Sequence, residues 1–407
     1  MASQVSISKQ FGSIMLIIGT EVGAGILALP IITAKLGFIT GSFIMVCAWL
    51  IMTYTAILIA DIAISMPVGT SFASMAKKIL GRWGSVIAWI AFLMLMYTIS
   101  VAYISAAGSV FNELVSFISE KIWNIIFVIV FSSLVVAGTR TVEILNSVLL
   151  STKLIFLLIA CFSLLSIIHL NDLFIAPVDA SVMLIAIPVM VTSYTSHIVV
   201  PILTDYLDKN PKVIFRVIMI GSTIPLLLYF LWLSAVLGVL PLNGKISFMN
   251  TVFLHHSETT ANIGNVLHAL QNKIHQGYIL FSVNTFIDIA VMTSYLGVSL
   301  SLYHFNIDSY KLNRLPKLIK IITAIILTFL LPLIIVEIDS NLFVPALSYV
   351  GVCIAVLLMI LPGCMAIKLN RQSHKYNFLI TSKPYMWYIS ILAGIAIILI
   401  KALMIFA

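Results

Sequence analysis

The residues able to do chemistry sit in the middle of apolar runs, where a membrane helix normally carries none. Gly19-Thr20-Glu21-Val22-Gly23-Ala24-Gly25-Ile26-Leu27 interrupts the run from Phe11 to Ala34. Glycine weakens a helix and a charge in hydrocarbon costs roughly 3 kcal/mol or more, so three glycines and a carboxylate at a midpoint need compensation. A broken helix provides it: two half-helices meet at an unwound segment whose free N–H and C=O groups bind a solute and an ion instead of each other. A second stretch, Ala186 to His197, holds Pro188, the hydroxyls of Thr192, Ser193, Tyr194, Thr195 and Ser196, and His197, with Pro201 one turn later. Its middle is expected to be unwound as well. A third costly residue, Lys153, lies about nine residues, or roughly 13 Å at 1.5 Å per residue, inside its own apolar run. It reaches water only through a cavity or by snorkelling to the near surface.

Membrane-spanning helices must position these groups. Of 407 residues, 61% are hydrophobic and 9% charged, with a mean hydropathy of +1.16. No soluble domain of this size could keep so much apolar surface from water, so an all-α polytopic membrane protein is expected. Runs of the ~17–25 residues that cross hydrocarbon recur at Phe11–Ala34, Gly37–Met66, Ser85–Phe111, Trp123–Ala137, Ile144–Ile168, Ala180–Thr204, Val217–Leu240, Gly277–Leu302, Ile319–Val336, Leu342–Ile367 and Tyr385–Phe406. They predict 11 transmembrane helices in a single domain over 1–407. With the N-terminus inside, 16 of the 22 Lys and Arg residues fall on the cytoplasmic side, and only Lys35, Lys121, Lys245, Lys273 and Lys401 on the other. This bias predicts a cytoplasmic N-terminus and a C-terminus outside, and it accounts for the net charge of +8 without nucleic acid. The first run is too long for a signal h-region and is expected to remain as a span. Two interrupted spans, the first and the sixth, separated by four ordinary ones, point to a 5+5 inverted repeat. Helices 1–5 (about 11–168) and 6–10 (about 180–367) form the repeats, helix 11 (about 385–406) is appended, and the solute site lies between broken helices 1 and 6.

Several alternatives lack their residues. Cys47, Cys161, Cys353 and Cys364 lie inside apolar runs without metal-ligand spacing and read as packing residues. The polar segment Leu242–Gln276, with His255, His256, Glu258, His268 and His275, reads as a solvated loop rather than a metal site. No His-rich helix motif or paired-carboxylate motif suggests an enzyme, and no cofactor is expected. A channel would show polar periodicity along several spans, whereas the polar groups here concentrate at two midpoints. A membrane sensor that binds the same solute would share the site and stays open as a rival.

The first break, Gly-Thr-Glu-Val-Gly-Ala-Gly-Ile-Leu-Ala-Leu-Pro at 19–30, resembles the signature of the bacterial hydroxy and aromatic amino acid permeases, especially the tyrosine- and tryptophan-specific ones. Tyr54-Thr55-Ala56, Lys77-Lys78-Ile79-Leu80-Gly81-Arg82, Ala102-Tyr103-Ile104-Ser105, Ser151-Thr152-Lys153-Leu154-Ile155-Phe156, Asp288-Ile289-Ala290 and Thr293-Ser294-Tyr295-Leu296-Gly297-Val298 are similar to further family positions spread over most of the chain. The resemblance implies the LeuT-type fold of the amino acid–polyamine–cation superfamily, placement in the bacterial inner membrane, and secondary active uptake of an amino acid. Tyrosine is expected first, with tryptophan or phenylalanine next. A small hydroxy or neutral amino acid is the alternative, since the sixth-span stretch lacks the glycines and phenylalanines expected around its histidine.

An amino acid is a zwitterion, so its pocket must offer donors to a carboxylate and acceptors to an ammonium. The N–H groups of Gly23, Ala24 and Gly25 open the second half-helix, where the dipole favours a negative charge. Carbonyls freed at Thr20–Glu21 and near Thr192–Ser193 would accept from the ammonium. Glu21 stands where the resemblance leads one to expect a small polar residue. Facing the cavity it could pair with the ammonium or with Lys153, or carry a coupling proton; facing a packed interface it would be protonated or hydrogen-bonded. In proton-coupled relatives of this superfamily a fifth-span lysine takes the place of the sodium ion held between the first and eighth spans. The resemblance therefore implies that Lys153 sits among the carbonyls of Gly19 and Val22 and the hydroxyls of Thr293 and Ser294, with sodium coupling as the alternative to a proton. Tyr97 and Tyr103 on the third span, and Ser193, Tyr194, Thr195 and His197 on the sixth, are candidates for side-chain recognition. Asp288 is a candidate for a proton path, whereas Asp61 lies near a span end, close to water.

Overall fold

Every regular element of the computed structural model, which describes residues 5–173, 180–254, 260–372, 381 and 383–406, is helical. Among the described residues ten helices are long and apolar enough to cross a membrane, and the bent pair Ile7–Glu21 and Ala24–Thr33 makes an eleventh span. The second to fifth spans are Phe38–Ile64, Arg82–Leu114, Glu120–Ala137 and Thr139–Leu165. The sixth consists of Ala180–Thr192 and Val200–Tyr206, followed by Pro211–Val239 and Gly277–Ser309. The ninth, Lys317–Ile338, and the tenth, Phe343–Arg371, each contain a π-helical stretch, and Pro384–Phe406 is the eleventh.

Most spans overrun their apolar runs. The fifth begins at Thr139 rather than Ile144, the seventh at Pro211 rather than Val217, and the eighth ends at Ser309 rather than Leu302. Hydropathy stops at the edge of hydrocarbon, but helical hydrogen bonding continues into the polar zone wherever caps support it. The Asn210 side chain accepts from Val213 N at 3.3 Å, with Pro211 in the first turn, where its missing N–H has no partner to lose. At 138 the helix direction reverses within one residue: Gly138, with φ of 123°, joins the fourth and fifth spans. That conformation suits glycine and strains L side chains.

The two broken spans run side by side in the centre. The first span packs on the seventh, the second on the sixth and seventh, and the tenth on the third and the sixth. Lipid gives little hydrophobic drive to bring helices together, so close approach at small residues carries much of the packing. A side chain at Gly221 of the seventh span would lie 2.9 Å from Ile17 on the first.

The segment Leu242–Gln276, read from sequence as a solvated loop, is largely built structure. A π-helical stretch, Phe248–Val252, precedes the helix Ile263–Lys273, whose Ile263, Val266, Leu267 and Leu270 are buried. The spacing of those four residues is an amphipathic stripe that the surrounding polar residues mask. The helix lies across the third span: Gly264 N donates to Ser109 Oγ at 3.1 Å, and Asn262 Nδ2 to Ser340 O at 3.1 Å. Ser105 Oγ also donates to the Ser340 carbonyl, and His268 Nδ1 lies 3.0 Å from Glu113 Oε2. His255, His256 and Glu258 lie outside the described residues.

Candidate functional site

The first span ends its first half at Glu21, and its second half begins at Ala24 after a bend of 48°. Val22 and Gly23 leave helical geometry, and Gly23 N–H turns back onto the Glu21 carbonyl at 2.7 Å. The donors that remain at the head of the second half-helix are therefore those of Ala24 and the residues after it, since the first N–H groups of any helix lack intrahelical acceptors. In the sixth span the helix stops at Thr192, and a single 3₁₀ turn, Ser196–Ile198, precedes the second half.

The breaks touch each other. A Cβ at Gly25 would lie 2.7 Å from Ser193 Cα, so only glycine permits this crossing. Glu21 is buried, and its Oε1 accepts from Ser196 Oγ at 2.7 Å. Its Oε2 has no hydrogen-bond partner among the described residues. Gly23 points at the third and eighth spans, where a Cβ would meet Ser294 Oγ at 3.0 Å and Tyr103 Oη at 3.3 Å.

Lys153 is 1% exposed, and its Nζ donates to Val22 O at 2.5 Å and to Thr293 Oγ1 at 3.4 Å. The carbonyl released by the break thus takes an ammonium from the fifth span, while the Thr293 hydroxyl comes from the eighth. A buried cation costs at least roughly 3 kcal/mol in hydrocarbon, and hydrogen bonds of this charged kind, about 1.5–3 kcal/mol each, offset much of that.

A cavity of about 290 Å³ joins these groups. Its walls include Gly19, Thr20, Glu21, Gly23, Gly25, Tyr103, Lys153, Thr192, Thr195, Thr293 and Ser294, with an apolar side made by Met96, Ile99, Leu347, Val350 and Ile354. From the breaks the lining continues through Leu16, Asn146, Leu150, Ile198 and Ser301, all toward the face on which the first span begins. Leu16, Thr20, Ile198 and Ser301 along this route are exposed. On the opposite face the helix Ile263–Lys273 lies over the third span through Gly264 N and Ser109 Oγ, and Asn262, just before it, donates to the Ser340 carbonyl that Ser105 also reaches.

Five candidates from the sequence lie elsewhere. Tyr97 Oη donates to the Leu327 carbonyl on the ninth span at 2.8 Å. Tyr194 is buried against the Tyr229 ring, with centroids 5.3 Å apart. His197 Nε2 is 2.7 Å from Thr55 Oγ1 on the second span, and neither residue lines the cavity. Ser193 is taken up by the crossing with Gly25, and Asp288 lies farther along the eighth span, outside the lining. The five share one reason. An unwound segment has no periodicity from which to read side-chain direction, and a polar residue in a continuous span can find its partner on any neighbouring helix. Asp61, read as close to water, is 1% exposed and accepts from Thr381 N and Oγ1, both at 2.8 Å. Asn146 and Tyr229 carried no signal in the sequence, because each is an isolated residue in an ordinary span, and Gly297 figured only within the family-like stretch 293–298. Among the described residues no group of three or more His, Cys, Asp or Glu converges on a metal position.

Comparison with known proteins agrees with this architecture. The chain is 29% identical over 402 residues to the tyrosine-specific transport system 2 of Haemophilus influenzae, covering 97% of each chain. It is 27% identical over 372 residues to glutamine transporter 2 of Aliivibrio fischeri, covering 89% of this chain and 90% of that one. Among solved structures, MhsT in complex with L-phenylalanine superposes with a TM-score of 0.64 over 96% of this chain and 98% of that one, at 16% identity. That likeness establishes the LeuT-type fold, with its 5+5 inverted repeat and broken helices 1 and 6. The model of the tryptophan/tyrosine permease family matches residues 6–401, and the chain belongs to that family.

Proposed function

We propose that this protein is a secondary active transporter that imports an aromatic amino acid by proton symport with alternating access. Tyrosine is the first candidate, ahead of tryptophan and phenylalanine. The observation that carries the reading is the Lys153 ammonium on the freed Val22 carbonyl, at the wall of a cavity bounded by both breaks. The substrate carboxylate lies at the N–H groups of Ala24 and Gly25, where the half-helix dipole favours it, with the Tyr103 hydroxyl alongside. The ammonium meets carbonyls freed at Thr20 and Thr192 and the Glu21 carboxyl group. The ring lies against Met96, Ile99, Leu347 and Val350, and Thr192, Thr195 and Ser294 supply hydroxyls for a phenol or an indole N–H.

Coupling follows from the same geometry. A protonated Lys153 holds the first break to the fifth and eighth spans; on losing its proton it becomes a far weaker donor, and the break is released. With a cytoplasmic N-terminus and a periplasmic C-terminus in the bacterial inner membrane, the cavity opens to the cytoplasm, so the conformation is the inward-facing one. The whole of 1–407 then works as a single transport domain. A second reading, a smaller polar or neutral amino acid as substrate, draws on the glutamine transporter among the relatives and on the hydroxyl groups in the wall.

The test is uptake of radiolabelled tyrosine into proteoliposomes, with proton and sodium gradients imposed separately and unlabelled amino acids as competitors. Accumulation driven by protons and blocked by aromatic amino acids is expected. Competition by glutamine or serine but not tryptophan moves the substrate to the second reading, and accumulation driven only by sodium overturns the coupling. Binding without uptake under either gradient moves the protein to the sensor class.

A further inference from the structure

One tyrosine outside the cavity joins the two breaks. Tyr229, on the seventh span, is 0% exposed, and its hydroxyl lies 2.7 Å from the Glu21 carbonyl oxygen and 2.7 Å from the Ser193 carbonyl oxygen. Glu21 is the last residue of the first half-helix in span one, and Ser193 is the first residue past the first half-helix in span six. Both lie at a helix end, where carbonyls leave the intrahelical ladder, and the Glu21 carbonyl also accepts from Gly23 N–H at 2.7 Å. A phenol carries a single donor hydrogen, so the two acceptors share it in a three-centre bond. The ring is held independently of this bond, by packing against Tyr194 on the second break.

This link differs in kind from that of Lys153. The ammonium ties the first break to the fifth and eighth spans, whereas Tyr229 ties the two breaks to each other and to a helix packed on the first span. Backbone carbonyls freed at unwound segments are among the groups with which membrane transporters coordinate monovalent cations. Here the point between two such carbonyls is taken by a hydroxyl.

We propose that Tyr229 is a positioning residue whose hydroxyl takes the place of a small monovalent cation between the two breaks, holding the substrate site in register without a bound ion. Its removal leaves two converging carbonyls that accept sodium instead. The part of the test that concerns substrate rests on the proposed amino acid site; the part that concerns sodium does not.

Tyr229→Phe keeps the ring and deletes only the hydroxyl, so purified variant and parent are compared in two ways. The first is thermal unfolding in sodium chloride against choline chloride at equal ionic strength. Sodium is expected to raise the melting temperature of the variant and to leave the parent unchanged, a response that loss of packing alone would not produce. The second is binding of radiolabelled tyrosine in the same two salts. The variant is expected to bind about tenfold more weakly in choline, the effect of one lost buried hydrogen bond, and to recover most of that in sodium. A variant that sodium does not stabilise, or a parent that sodium stabilises equally, overturns the proposal. If the parent binds no amino acid, the functional reading fails while the unfolding comparison still decides this one. If the variant does not fold in choline, folding in sodium supports the proposal and failure in both salts overturns it.

Discussion

Replacing Lys153 by alanine separates the driving force from the binding site. The side chain is 1% exposed, with Nζ 2.5 Å from the Val22 carbonyl and 3.4 Å from Thr293 Oγ1. The substitution removes a cation whose burial in hydrocarbon costs roughly 3 kcal/mol or more. It also leaves one buried carbonyl without its donor, at about 1–3 kcal/mol. These terms oppose each other and nearly cancel, so the variant is expected to insert and fold. The effect on transport has no such compensation. With one proton carried per substrate, a gradient of two pH units supplies about 2.7 kcal/mol, enough for roughly 100-fold accumulation. Without the ammonium the same gradient does no work on the first break. The internal-to-external ratio is then expected to settle at ~1 within RT of equilibrium, while exchange of labelled for unlabelled substrate continues. The assay is paired uptake and counterflow in proteoliposomes at matched protein density. A Lys153→Ala variant that still concentrates substrate against its gradient refutes the coupling role, and one that loses exchange as well shows that the lysine serves the binding site instead.

Three further substitutions test the rest of the site. Glu21→Gln keeps an oxygen to accept from Ser196 Oγ, which lies 2.7 Å from Oε1 now, but removes the ionisable group; the pH dependence of uptake should flatten or shift, and an unaltered profile excludes Glu21 from coupling. Gly25→Ala would put a methyl 2.7 Å from Ser193 Cα, an overpacking that costs about 1–3 kcal/mol, so substrate binding should weaken by roughly 5- to 150-fold; equilibrium binding reads this directly, and unchanged affinity would mean that the two breaks do not cross here. Gly297 lines the cavity, and a Cβ there would meet nothing within 4 Å. Gly297→Leu should therefore fill free space without unfolding the protein and should lower competition by tryptophan more than by alanine; equal loss for both would detach Gly297 from substrate size.

The midpoints of the first and sixth spans could be read from residue type alone. Glycines at 19, 23 and 25 with Glu21 between them, and Pro188 with five consecutive hydroxyl residues, are incompatible with a continuous apolar helix, whatever surrounds them. Lys153 could be read for the same reason, since a cation at that depth needs a partner. What the residues do not carry is direction. Thr192 and Thr195 line the cavity, whereas Tyr194 and His197, between and beyond them, turn into the protein. In an unwound segment no period of 3.6 or 2 assigns sides, and only the packed neighbours decide. Tyr229 was hidden differently. A single tyrosine in an apolar span is usually a packing residue, and its link to two carbonyls depends on backbone atoms contributed by residues 36 and 208 positions away.

The one-residue junction at Gly138 bears on how force travels through the molecule. Lys153 rides on the fifth span, and the fifth span is joined to the fourth by a link too short to stretch, because consecutive Cα atoms are fixed about 3.8 Å apart. The two helices can open and close like the arms of a compass about that point. They cannot slide past one another along their axes. A displacement of Lys153 away from Val22, as the proposed coupling requires, would therefore take the form of a swing about Gly138 rather than a slide along the fourth span.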